Sequence, residues 1–425
     1  MSNAIAVVGT GYVGLTTGTC LAHLGHRVVC VDVDEAKVEM LRRGEIPIFE
    51  AGLAELVLEG QEAGRLRFTT DAVDAVKGAE FVFLCVPTPQ GGDGAADLSY
   101  VQQAAATIGP HLETGAIVVN KSTVPVGSAG IVGEVIGRGD ISVVSNPEFL
   151  REGTAVNDFL KPDRVVVGCD DQSAAVRLAE AYAGLGAPVL VTDAASAEMI
   201  KYASNAFLAT KISYVNAIAA VCEVVGADVN DVTLGMGYDK RIGAEFLRPG
   251  PGWGGSCFPK DSQALVNIAH EAGYSFDLLK SVIDTNEGQF DRVADKIADL
   301  AGGSLEGRTV AVWGLTFKAL TDDLRDSPAL RICERLLARG ARVRAYDPTV
   351  ATPPLEGIEL AADAYAACEG ADVLALLTEW DEFRWIDFDT VGSLLTAKGI
   401  VDARNLLDRE ALRRKGFVVL GIGRV

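Results

Sequence analysis

The chain alternates between short runs of apolar residues and longer stretches in which apolar positions recur at helical spacing. Strands that are apolar on both faces and separated by helices are typical of a parallel sheet covered on both sides. The first 150 residues therefore predict a doubly wound α/β domain. Its predicted strands are AIAVVG (4–9), RVVCVD (27–32), AEFVFLCVP (79–87), AIVVNKS (116–122) and ISVVSN (141–146).

The same alternation returns in the last part of the chain, after a helical middle. Residues 194–226 form a long Ala-rich helical pattern, and helical spacing continues over 261–300. We predict two Rossmann-like doubly wound parallel-sheet domains joined by a central helical domain, with bounds 1–195, 196–300 and 305–425. The further predicted strands are 165–168, 189–192, 309–314, 341–348, 371–378, 399–404 and 417–421.

The long helix of the middle segment has apolar residues on more than one face. Such a helix must be covered by other protein surface. We expect this cover to come from a second copy of the chain, in a homodimer or a higher homo-oligomer. The alternative is that the two flanking domains cover the helix alone.

Composition and charge narrow the class of protein. The chain has 425 residues, of which 49% are hydrophobic and 23% charged, as in folded globular proteins. The formal net charge of −20 argues against nucleic acid and anionic membranes as partners. No run of about 18 apolar residues stands out, and no signal peptide is recognised, so we expect a cytoplasmic location. Eight scattered cysteines and four histidines form neither a disulfide framework nor a metal pattern.

A glycine-rich turn follows the first predicted strand. Gly9, Gly11 and Gly14 form G-x-G-x-x-G at the start of a helix, and Asp32 ends the second strand. This spacing allows a tight turn, close approach of a pyrophosphate and close helix–strand packing. A carboxylate at the ribose repels a 2′-phosphate, so the predicted cofactor is NAD rather than NADP.

Four other segments carry polar residues that suggest an active site. Two of them follow strands, where parallel sheets place their ligands. The third has a Lys and an Asn at i, i+4, on one face of a helix, although that lysine could also extend to solvent. The fourth sets a cysteine in a Gly-rich loop. The residues are Ser122 and Thr123, Glu148 and Glu152, Lys201 and Asn205, and Cys257 with Lys260 and Asp261.

Seven segments together resemble the UDP-glucose/GDP-mannose dehydrogenase family, over nearly the whole chain. The resemblance implies oxidation of a nucleotide-sugar C6 alcohol to a carboxylate with two NAD, through a cysteine thiohemiacetal and thioester. The CFPKD tail favours the glucose-type branch, and thus UDP-glucose as substrate and UDP-glucuronate as product. The segments are GTGYVG, CVPTP, KSTVPVG, NPEFLREGTA, KYASNAFLATKIS, GWGGSCFPKD and TFKALTDDLRDSP.

The resemblance also implies catalytic roles. Cys257 is the nucleophile, and Lys201 and Asn205 stabilise the oxyanions at C6. A water held by Asp261 and Thr123 is the base of the first oxidation, with Lys201 as a rival base. Glu148 helps to activate the water that hydrolyses the thioester.

Further contacts are implied by matching positions. Arg241 matches an arginine that reaches into the neighbouring subunit's site, and the basic residues among these positions would attract a diphosphate despite the net charge. The implied cofactor contacts are Lys37, Pro87, Ser122, Glu152, Lys260 and Arg325. The implied substrate contacts are Glu148, Phe149, Leu150, Lys201, Asn205, Arg241, Phe246, Leu247, Arg248, Gly254, Phe317, Lys318 and Arg404.

The chain departs from the family pattern in two segments that the resemblance places near the nucleotide. Trp253 stands where Phe or Tyr is more common, and Leu320 and Leu324 stand where small or polar residues are common. These departures leave open whether the base is uracil or thymine, as in dTDP-glucose. Two other functions remain as alternatives, a two-electron β-hydroxyacid-type dehydrogenase and a non-catalytic NAD-binding module.

Overall fold

The structure is a computed structural model that describes residues 2–89, 91 and 96–424. The chain divides into two compact units, Met1–Ser204 and Asn205–Val425. Each unit is a layered α/β structure, and each is described by itself below.

The first unit is built on an eight-stranded sheet within the described residues, in the order β3-β2-β1-β4-β5-β6-β7-β8. The strands are β1 (Ala4–Val8), β2 (Arg27–Val31), β3 (Leu66–Thr69), β4 (Phe81–Leu84), β5 (Ile117–Asn120), β6 (Ser142–Ser145), β7 (Val165–Gly168) and β8 (Val189–Thr192). The helices are α1 (Tyr12–His23), α2 (Glu35–Arg42), α3 (Leu53–Glu62), α4 (Ala72–Val76), α5 (Ser99–Ile108), α6 (Ser128–Ile136), α7 (Ala155–Leu160) and α8 (Gln172–Ala181).

Strand β1 shows why this sheet has helices on both faces. Ile5 and Val7 pack into one buried apolar cluster, and Ala6 and Val8 pack into another on the opposite face. Successive side chains of a strand point to opposite faces, so a strand that is apolar throughout contributes to two cores. The predicted doubly wound fold of this part of the chain is confirmed.

Two features of this sheet differ from the sequence prediction. Strand β3 was not predicted, because its sequence LRFT has only two apolar residues and the exposed Arg67 lies between them. Strand β7 pairs antiparallel to β6, with Ser145 opposite Gly168, whereas an entirely parallel sheet was expected. The segment between them stays at the carboxyl end of β6, so the chain enters β7 from that end without the crossover that a parallel pair requires.

A long helix, α9 (Ala194–Val225), begins in the first unit and ends in the second. It matches the predicted helical pattern of residues 194–226. An 18-residue window of this helix has a mean hydropathy of 1.4. By length and composition alone, the helix is long and apolar enough to cross a membrane. The expectation that no such segment exists was therefore wrong, although the core helix of a soluble protein can meet the same criterion.

The second unit repeats the architecture with a six-stranded sheet among its described residues, in the order β11-β10-β9-β12-β13-β14. The strands are β9 (Thr309–Trp313), β10 (Arg342–Tyr346), β11 (Ile358–Leu360), β12 (Val373–Leu376), β13 (Gly399–Asp402) and β14 (Val418–Gly421). The helices are α10 (Val229–Gly237), α11 (Phe258–Glu271), α12 (Asp277–Leu300), α13 (Pro328–Ala338), α14 (Ala364–Cys368), α15 (Phe388–Leu394) and α16 (Arg409–Arg414).

All recorded pairs of this second sheet are parallel. Val310 and Val312 pack into one buried cluster, and Ala311 and Trp313 into another, as on the two faces of β1. The strand order matches that of β1 to β6 in the first unit. The alternating pattern that the two parts of the sequence share therefore reflects a shared sheet topology. The three-residue strand β11 was not predicted because it is too short to show a periodicity.

Candidate active site

The glycine-rich turn between β1 and α1 leaves room for a ligand at one position only. Gly9 has φ +98°, and a Cβ there would lie 2.6 Å from the Cys85 carbonyl oxygen. A Cβ at Gly14 would lie 1.9 Å from the Gly9 carbonyl oxygen, whereas one at Gly11 would meet nothing within 4 Å. Gly11 caps α1 without a side-chain hydrogen bond. The turn therefore fits the pyrophosphate of a dinucleotide at the positive end of the helix.

Asp32 follows β2 and is held firmly as an anion. Its Oδ2 accepts hydrogen bonds from Thr10 N at 2.8 Å and Thr10 Oγ1 at 2.7 Å, and Lys37 Nζ lies 3.1 Å from it. Burial acts to raise the pKa of Asp32, but the Thr10 hydrogen bonds outweigh it and lower the pKa. An ionised carboxylate suits the ribose hydroxyls of NAD. Lys37, an expected cofactor contact, binds this carboxylate.

The predicted residues at the end of β5 line the carboxyl edge of the sheet. Ser122 Oγ donates to the Val86 carbonyl at 2.7 Å, and Thr88 Oγ1 donates to the Thr123 carbonyl at 2.9 Å. Pro87 is exposed beside them. These bonds join the loops after β4 and β5 at the edge where such sheets bind ligands.

Lys201 does not extend to solvent. It is 3% exposed, and its ammonium lies 2.8 Å from Glu148 Oε1 and 2.7 Å from the Glu148 carbonyl oxygen. Phe149 borders the pair, with its ring centroid 5.4 Å from Lys201 Nζ. The alternative that this lysine extends to solvent is thereby excluded. Lys201 and Glu148, two predicted catalytic residues, form a buried ion pair.

The environment of Glu148 keeps its carboxyl ionised. Complete burial acts to raise the pKa of Glu148, but attraction from Lys201 and hydrogen bonds from Lys201 and Leu150 N outweigh this and lower the pKa. Leu150 N donates to Oε2 at 2.6 Å. The anion is therefore stabilised both by a charged partner and by the backbone of its own loop.

The loop of Glu148 is tied to the cofactor turn by a carboxylate that sequence reasoning missed. Glu50, 6% exposed, accepts hydrogen bonds from the Tyr12 hydroxyl and from Gly153 N. Burial and the Glu50 hydrogen bond both raise the pKa of Tyr12, with a smaller contribution from Glu152. A buried acid in PIFEAGL looks like a surface residue in the sequence, so no local pattern pointed to it.

In the second unit, Cys257 is the N-cap residue of α11. Its partly exposed thiol has the Ser256 hydroxyl 3.6 Å away. Asp261, one turn further on, is completely buried, and its Oδ2 accepts a 2.6 Å hydrogen bond from Asn205 Nδ2. Lys260 Nζ lies 3.0 Å from Asp261 Oδ1. The positive end of a helix favours a thiolate at this position.

Six of the other seven cysteines have thiols whose pKa is raised. Burial raises the pKa of the Cys20, Cys85, Cys333 and Cys368 thiols to about 12, and it also raises the pKa of Cys30 and of the partly exposed Cys169. Such thiols remain protonated at neutral pH and are poor nucleophiles. Among the described residues, no group of three or more His, Cys, Asp or Glu side chains is placed to hold a metal ion.

The loop before Cys257 is anchored by amide side chains that the sequence did not single out. Asn216 Oδ1 accepts from Gly250 N at 2.8 Å, and Gln289 Nε2 donates to the Gly250 carbonyl at 2.8 Å. Asn286 forms hydrogen bonds with both the N–H and the carbonyl of Trp253. Trp253 is 5% exposed, so it anchors this loop and is not free to contact a nucleotide broadly.

Two glycines allow the same loop to pass close to its neighbours. A Cβ at Gly254 would lie 1.9 Å from the Asp326 carbonyl oxygen. A Cβ at Gly255, which has φ +82°, would lie 2.8 Å from the Phe317 ring. The glycines thus bring the cysteine loop against the segment that carries Phe317, an expected substrate contact.

Arg404 joins three loops at the carboxyl edge of the second sheet. Its guanidinium donates to the Leu377 carbonyl and the Phe317 carbonyl, each at 2.8 Å, and lies 2.9 Å from Glu379 Oε2. Lys318 Nζ lies 5.4 Å from the centroid of the Phe317 ring. These predicted substrate residues therefore share the edge of the sheet where ligands bind.

The second sheet has its own counterpart of Asp32, which sequence reasoning missed. Asp347 follows β10, is 4% exposed, and its Oδ2 accepts from Leu315 N, Thr316 N and Trp380 Nε1. Its Oδ1 also accepts hydrogen bonds from Thr349 N and Thr349 Oγ1, so both oxygens of this carboxylate bind groups of the protein. The turn after β9 is therefore built differently from a dinucleotide turn, as the absence of G-x-G-x-x-G there suggested.

The remaining predicted residues differ in solvent exposure. Arg241 is highly exposed and paired with Asp239 at 2.6 Å, and Arg325 pairs with Asp323 at 2.7 Å. Arg248 is exposed, Leu247 is buried, and Phe246 adopts φ +61° with its ring 6.3 Å from that of Phe258.

The predicted site thus falls into two groups, one in each unit. The first group holds the cofactor turn, the edge of the first sheet and the buried ion pair: Gly9, Gly11, Gly14, Asp32, Lys37, Pro87, Ser122, Thr123, Glu148, Phe149, Leu150, Glu152 and Lys201. The second group holds the cysteine loop and the edge of the second sheet: Asn205, Arg241, Phe246, Leu247, Arg248, Gly254, Cys257, Lys260, Asp261, Phe317, Lys318, Arg325 and Arg404.

Sequence profiles of one family match all three parts of the chain. They are the UDP-glucose/GDP-mannose dehydrogenase family NAD binding domain over residues 3–185, central domain over 195–288 and UDP binding domain over 311–409. The chain belongs to the UDP-glucose/GDP-mannose dehydrogenase family. The predictions of family, fold class and NAD as cofactor are confirmed.

Individual relatives extend this likeness over the full length. The chain is 48% identical to UDP-glucose 6-dehydrogenase TuaD of Bacillus subtilis (strain 168), with 99% of this chain and 93% of that protein covered. It is 46% identical to UDP-glucose 6-dehydrogenase of Rhizobium meliloti (strain 1021), with 99% of each covered. A solved UDP-glucose dehydrogenase from the hyperthermophilic archaeon Pyrobaculum islandicum superposes with a TM-score of 0.90 at 36% identity, covering 100% of this chain and 98% of that one.

Proposed function

We propose that this chain is an NAD-dependent UDP-glucose 6-dehydrogenase, which oxidises the C6 alcohol of UDP-glucose to the carboxylate of UDP-glucuronate. The observation that carries the proposal is likeness over almost the entire length to curated enzymes of that activity. The UDP binding domain profile over 311–409 supports a nucleotide sugar as substrate. We keep the proposed division into segments 1–195, 196–300 and 305–425, for the cofactor, the cysteine loop and the nucleotide sugar.

The proposed reaction needs a thiol because the second oxidation starts from an aldehyde. The first step removes a hydride and a proton from the C6 alcohol. The Cys257 thiolate then adds to the aldehyde carbon, and the former carbonyl oxygen takes up a proton to give a thiohemiacetal. The thiohemiacetal loses a second hydride and its hydroxyl proton to become a thioester. Water cleaves the C–S bond, which releases the carboxylate and restores the thiol. Bound NAD supplies the hydride acceptor, one molecule for each oxidation.

The residues of the two groups have distinct proposed roles. Lys201 and Asn205 donate hydrogen bonds to oxygen at C6 as negative charge develops there. Asp261, with Thr123, holds the water that takes the alcohol proton, and Lys201 is the alternative base. Glu148, already ionised, accepts a proton from the water that attacks the thioester.

The proposed cofactor and substrate contacts draw on the same geometry. The open position at Gly11 and the anion of Asp32 fit the pyrophosphate and ribose of NAD. Further proposed NAD contacts are Gly9, Gly14, Lys37, Pro87, Ser122, Glu152, Lys260 and Arg325. Further proposed substrate contacts are Phe149, Leu150, Arg241, Phe246, Leu247, Arg248, Gly254, Phe317, Lys318 and Arg404.

The stoichiometry of NADH formation tests the proposed function. With limiting UDP-glucose and excess NAD, we expect two NADH and one UDP-glucuronate per sugar, measured by absorbance and by chromatography of the product. One NADH per sugar would instead indicate a two-electron dehydrogenase. No turnover with any nucleotide sugar would indicate a binding module.

A cysteine exchange tests the covalent step. We expect Cys257→Ser to bind UDP-glucose but to lose steady formation of UDP-glucuronate by at least about 100-fold, since an alcohol is a much weaker nucleophile than a thiolate. Cys169→Ser is the matched control, because this thiol is also partly exposed and burial raises its pKa. Normal turnover of Cys257→Ser would contradict the thioester route.

The same chemistry on another nucleotide hexose, such as dTDP-glucose, is the alternative substrate. A panel of UDP-, dTDP- and GDP-sugars, followed by NADH absorbance, distinguishes them. We expect the highest kcat/KM with UDP-glucose. A higher kcat/KM with dTDP-glucose would change the substrate without changing the proposed chemistry.

We also propose that the protein acts in the cytoplasm as a homodimer or a higher homo-oligomer, without a nucleic-acid or membrane partner. The net charge of −20 supports the absence of anionic polymer and membrane partners. Exposed apolar residues along the second half of α9 support self-association.

A further inference from the structure

Lys121 is a buried cation that the proposed mechanism does not use. It follows β5 directly and is only 5% exposed. Its Nζ lies 3.1 Å from Asn146 Oδ1 and 3.5 Å from the Tyr182 hydroxyl, with the ring centroids of Tyr182 and Phe159 at 5.6 and 6.0 Å. No carboxylate of the described residues lies within 4.0 Å of this nitrogen. Its charge is therefore buried without a direct ion pair.

A buried ammonium without a carboxylate partner lowers the free energy of unfolding relative to an apolar side chain of similar size at the same position. Burial lowers the pKa of Lys121 to about 8, with opposing effects from Cys85 and Glu148 that raise it and a further lowering by Lys201. The titratable groups that face it are Cys85 after β4, Tyr182 after α8, Glu148 after β6 and Lys201 on α9. Below its pKa the lysine is a cation, so its charge is present over the acid range in which carboxyl groups titrate.

Lys121 connects to Glu148 through both charge and structure. Attraction from Lys121 is one of the effects that lower the pKa of the Glu148 carboxyl. Asn146, which accepts the Lys121 hydrogen bond, lies two residues before Glu148. Its Nδ2 donates to the Val166 carbonyl at 2.7 Å, and its backbone N–H donates to the Asn120 carbonyl at 2.9 Å. The start of the Glu148 loop is therefore fixed from β5 and β7.

We propose that Lys121 is a positioning residue for Glu148: through Asn146 its buried ammonium holds the start of the loop that carries the Glu148 carboxylate, and it adds a positive charge to the surroundings of that carboxylate. The functional consequence rests on the proposed role of Glu148 in thioester hydrolysis. The electrostatic consequence does not rest on that role, because it concerns only the ionisation of the Glu148 carboxyl in the protein without substrate.

Two neutral variants separate the charge of Lys121 from its shape. Lys121→Gln keeps a hydrogen-bond donor near Asn146, and Lys121→Met keeps the length and an apolar stem. Infrared difference spectra of the full-length protein without substrate, referenced to Glu148→Gln in each background, follow the titration of the Glu148 carboxyl. We expect its midpoint to rise in both variants, because each of them removes a positive charge. An unchanged midpoint in both, or a rise in Lys121→Met alone, would overturn the proposed effect of the charge.

The pH dependence of turnover supplies the second measurement. With UDP-glucose and NAD, the acid limb of the kcat profile should move to higher pH by the same amount in both variants. Lys77→Met, which removes an exposed lysine of the same unit, should keep the wild-type profile. A profile unchanged while the infrared midpoint rises would overturn the functional part. If the wild type turns over no nucleotide sugar, the proposed function fails, yet the infrared titration still decides the effect of Lys121 on Glu148.

Discussion

At the scale of single residues, Leu320 stands out because its backbone is strained. It has φ +65° and is 54% exposed. The left-handed region costs a residue with a Cβ roughly 1–2 kcal/mol, and Asn and Gly bear that cost best. The sequence departure at Leu320 is therefore also an energetic departure, since an exposed leucine gains little from packing in return.

We expect Leu320→Asn to raise the free energy of unfolding by about 1 kcal/mol, because Asn tolerates this backbone conformation. Urea unfolding monitored by tryptophan fluorescence measures the change. Leu320→Ala is the matched control: it shortens the side chain but keeps the Cβ, so its stability should stay within about 0.5 kcal/mol of the wild type. Equal stabilisation by Ala and Asn would show that the exposed side chain, and not the backbone strain, is responsible.

At the scale of elements, the N-terminus of α6 is capped by a residue of another helix. Gly127, the N-cap residue, makes no side-chain hydrogen bond, but the carboxylate of Glu198 on α9 accepts from Gly127 N at 2.6 Å and from Ala129 N at 3.0 Å. Ser145 Oγ donates to the same carboxylate at 2.8 Å. Glu198 thus ties α6, β6 and the first turns of α9 together within the first unit.

This cap should depend on pH. Burial raises the pKa of Glu198, against hydrogen bonds from Ser145, Gly127 and Ala129 that lower it. A carboxyl whose pKa is higher in the folded state favours folding most at low pH, and that contribution is lost as the pH rises through the folded pKa. Relative to Glu198→Gln, we therefore expect wild-type α6 to become less protected from hydrogen exchange as the pH rises from about 4 to 7, after correction for intrinsic rates.

Mass spectrometry of peptides covering residues 128–136 gives the comparison. Glu198→Ala, which leaves the amides at the start of α6 without an acceptor, should lower the local opening free energy by about 1–2 kcal/mol at all pH values. Glu180→Gln, at an exposed position of α8, serves as the control and should leave α6 unchanged. Protection of wild-type α6 that increases with pH relative to Glu198→Gln would contradict the predicted sign.

At the scale of the whole molecule, the sequence predicted what depends on periodicity and missed what depends on contacts between distant segments. Long apolar strands, the α9 helix and the cofactor turn follow from local pattern, so they were predicted. Strands β3 and β11 have only two apolar residues each, separated by a charged residue, so no apolar run marks them in the sequence. Glu50 and Asp347 look like ordinary acidic residues until the fold buries them against backbone N–H groups. The same limit applies to Lys201, whose burial could not be read from its helix.

The predicted self-association depends on the exposed apolar residues of the second unit. Phe207, Tyr214 and Val221 of α9 are 64%, 53% and 55% exposed, and their spacing of seven residues places them on one face of the helix. Leu234 and Tyr238 of α10 add further exposed apolar surface. Several large exposed apolar residues on one helix face are typical of an interface.

We therefore expect sedimentation velocity to give a species of at least about twice the chain mass of 44.7 kDa at micromolar concentration. Phe207→Asp combined with Tyr214→Asp should shift it to monomer, because two buried unpaired carboxylates cost far more than the interface gains at those positions. Val176→Asp, at a position of α8 that is 51% exposed, should leave the assembly unchanged. A monomeric wild type would mean that α9 needs no second copy. An assembly unaffected by the double substitution would place the interface elsewhere. The proposal that Arg241 reaches into the site of a neighbouring subunit would then lose its support.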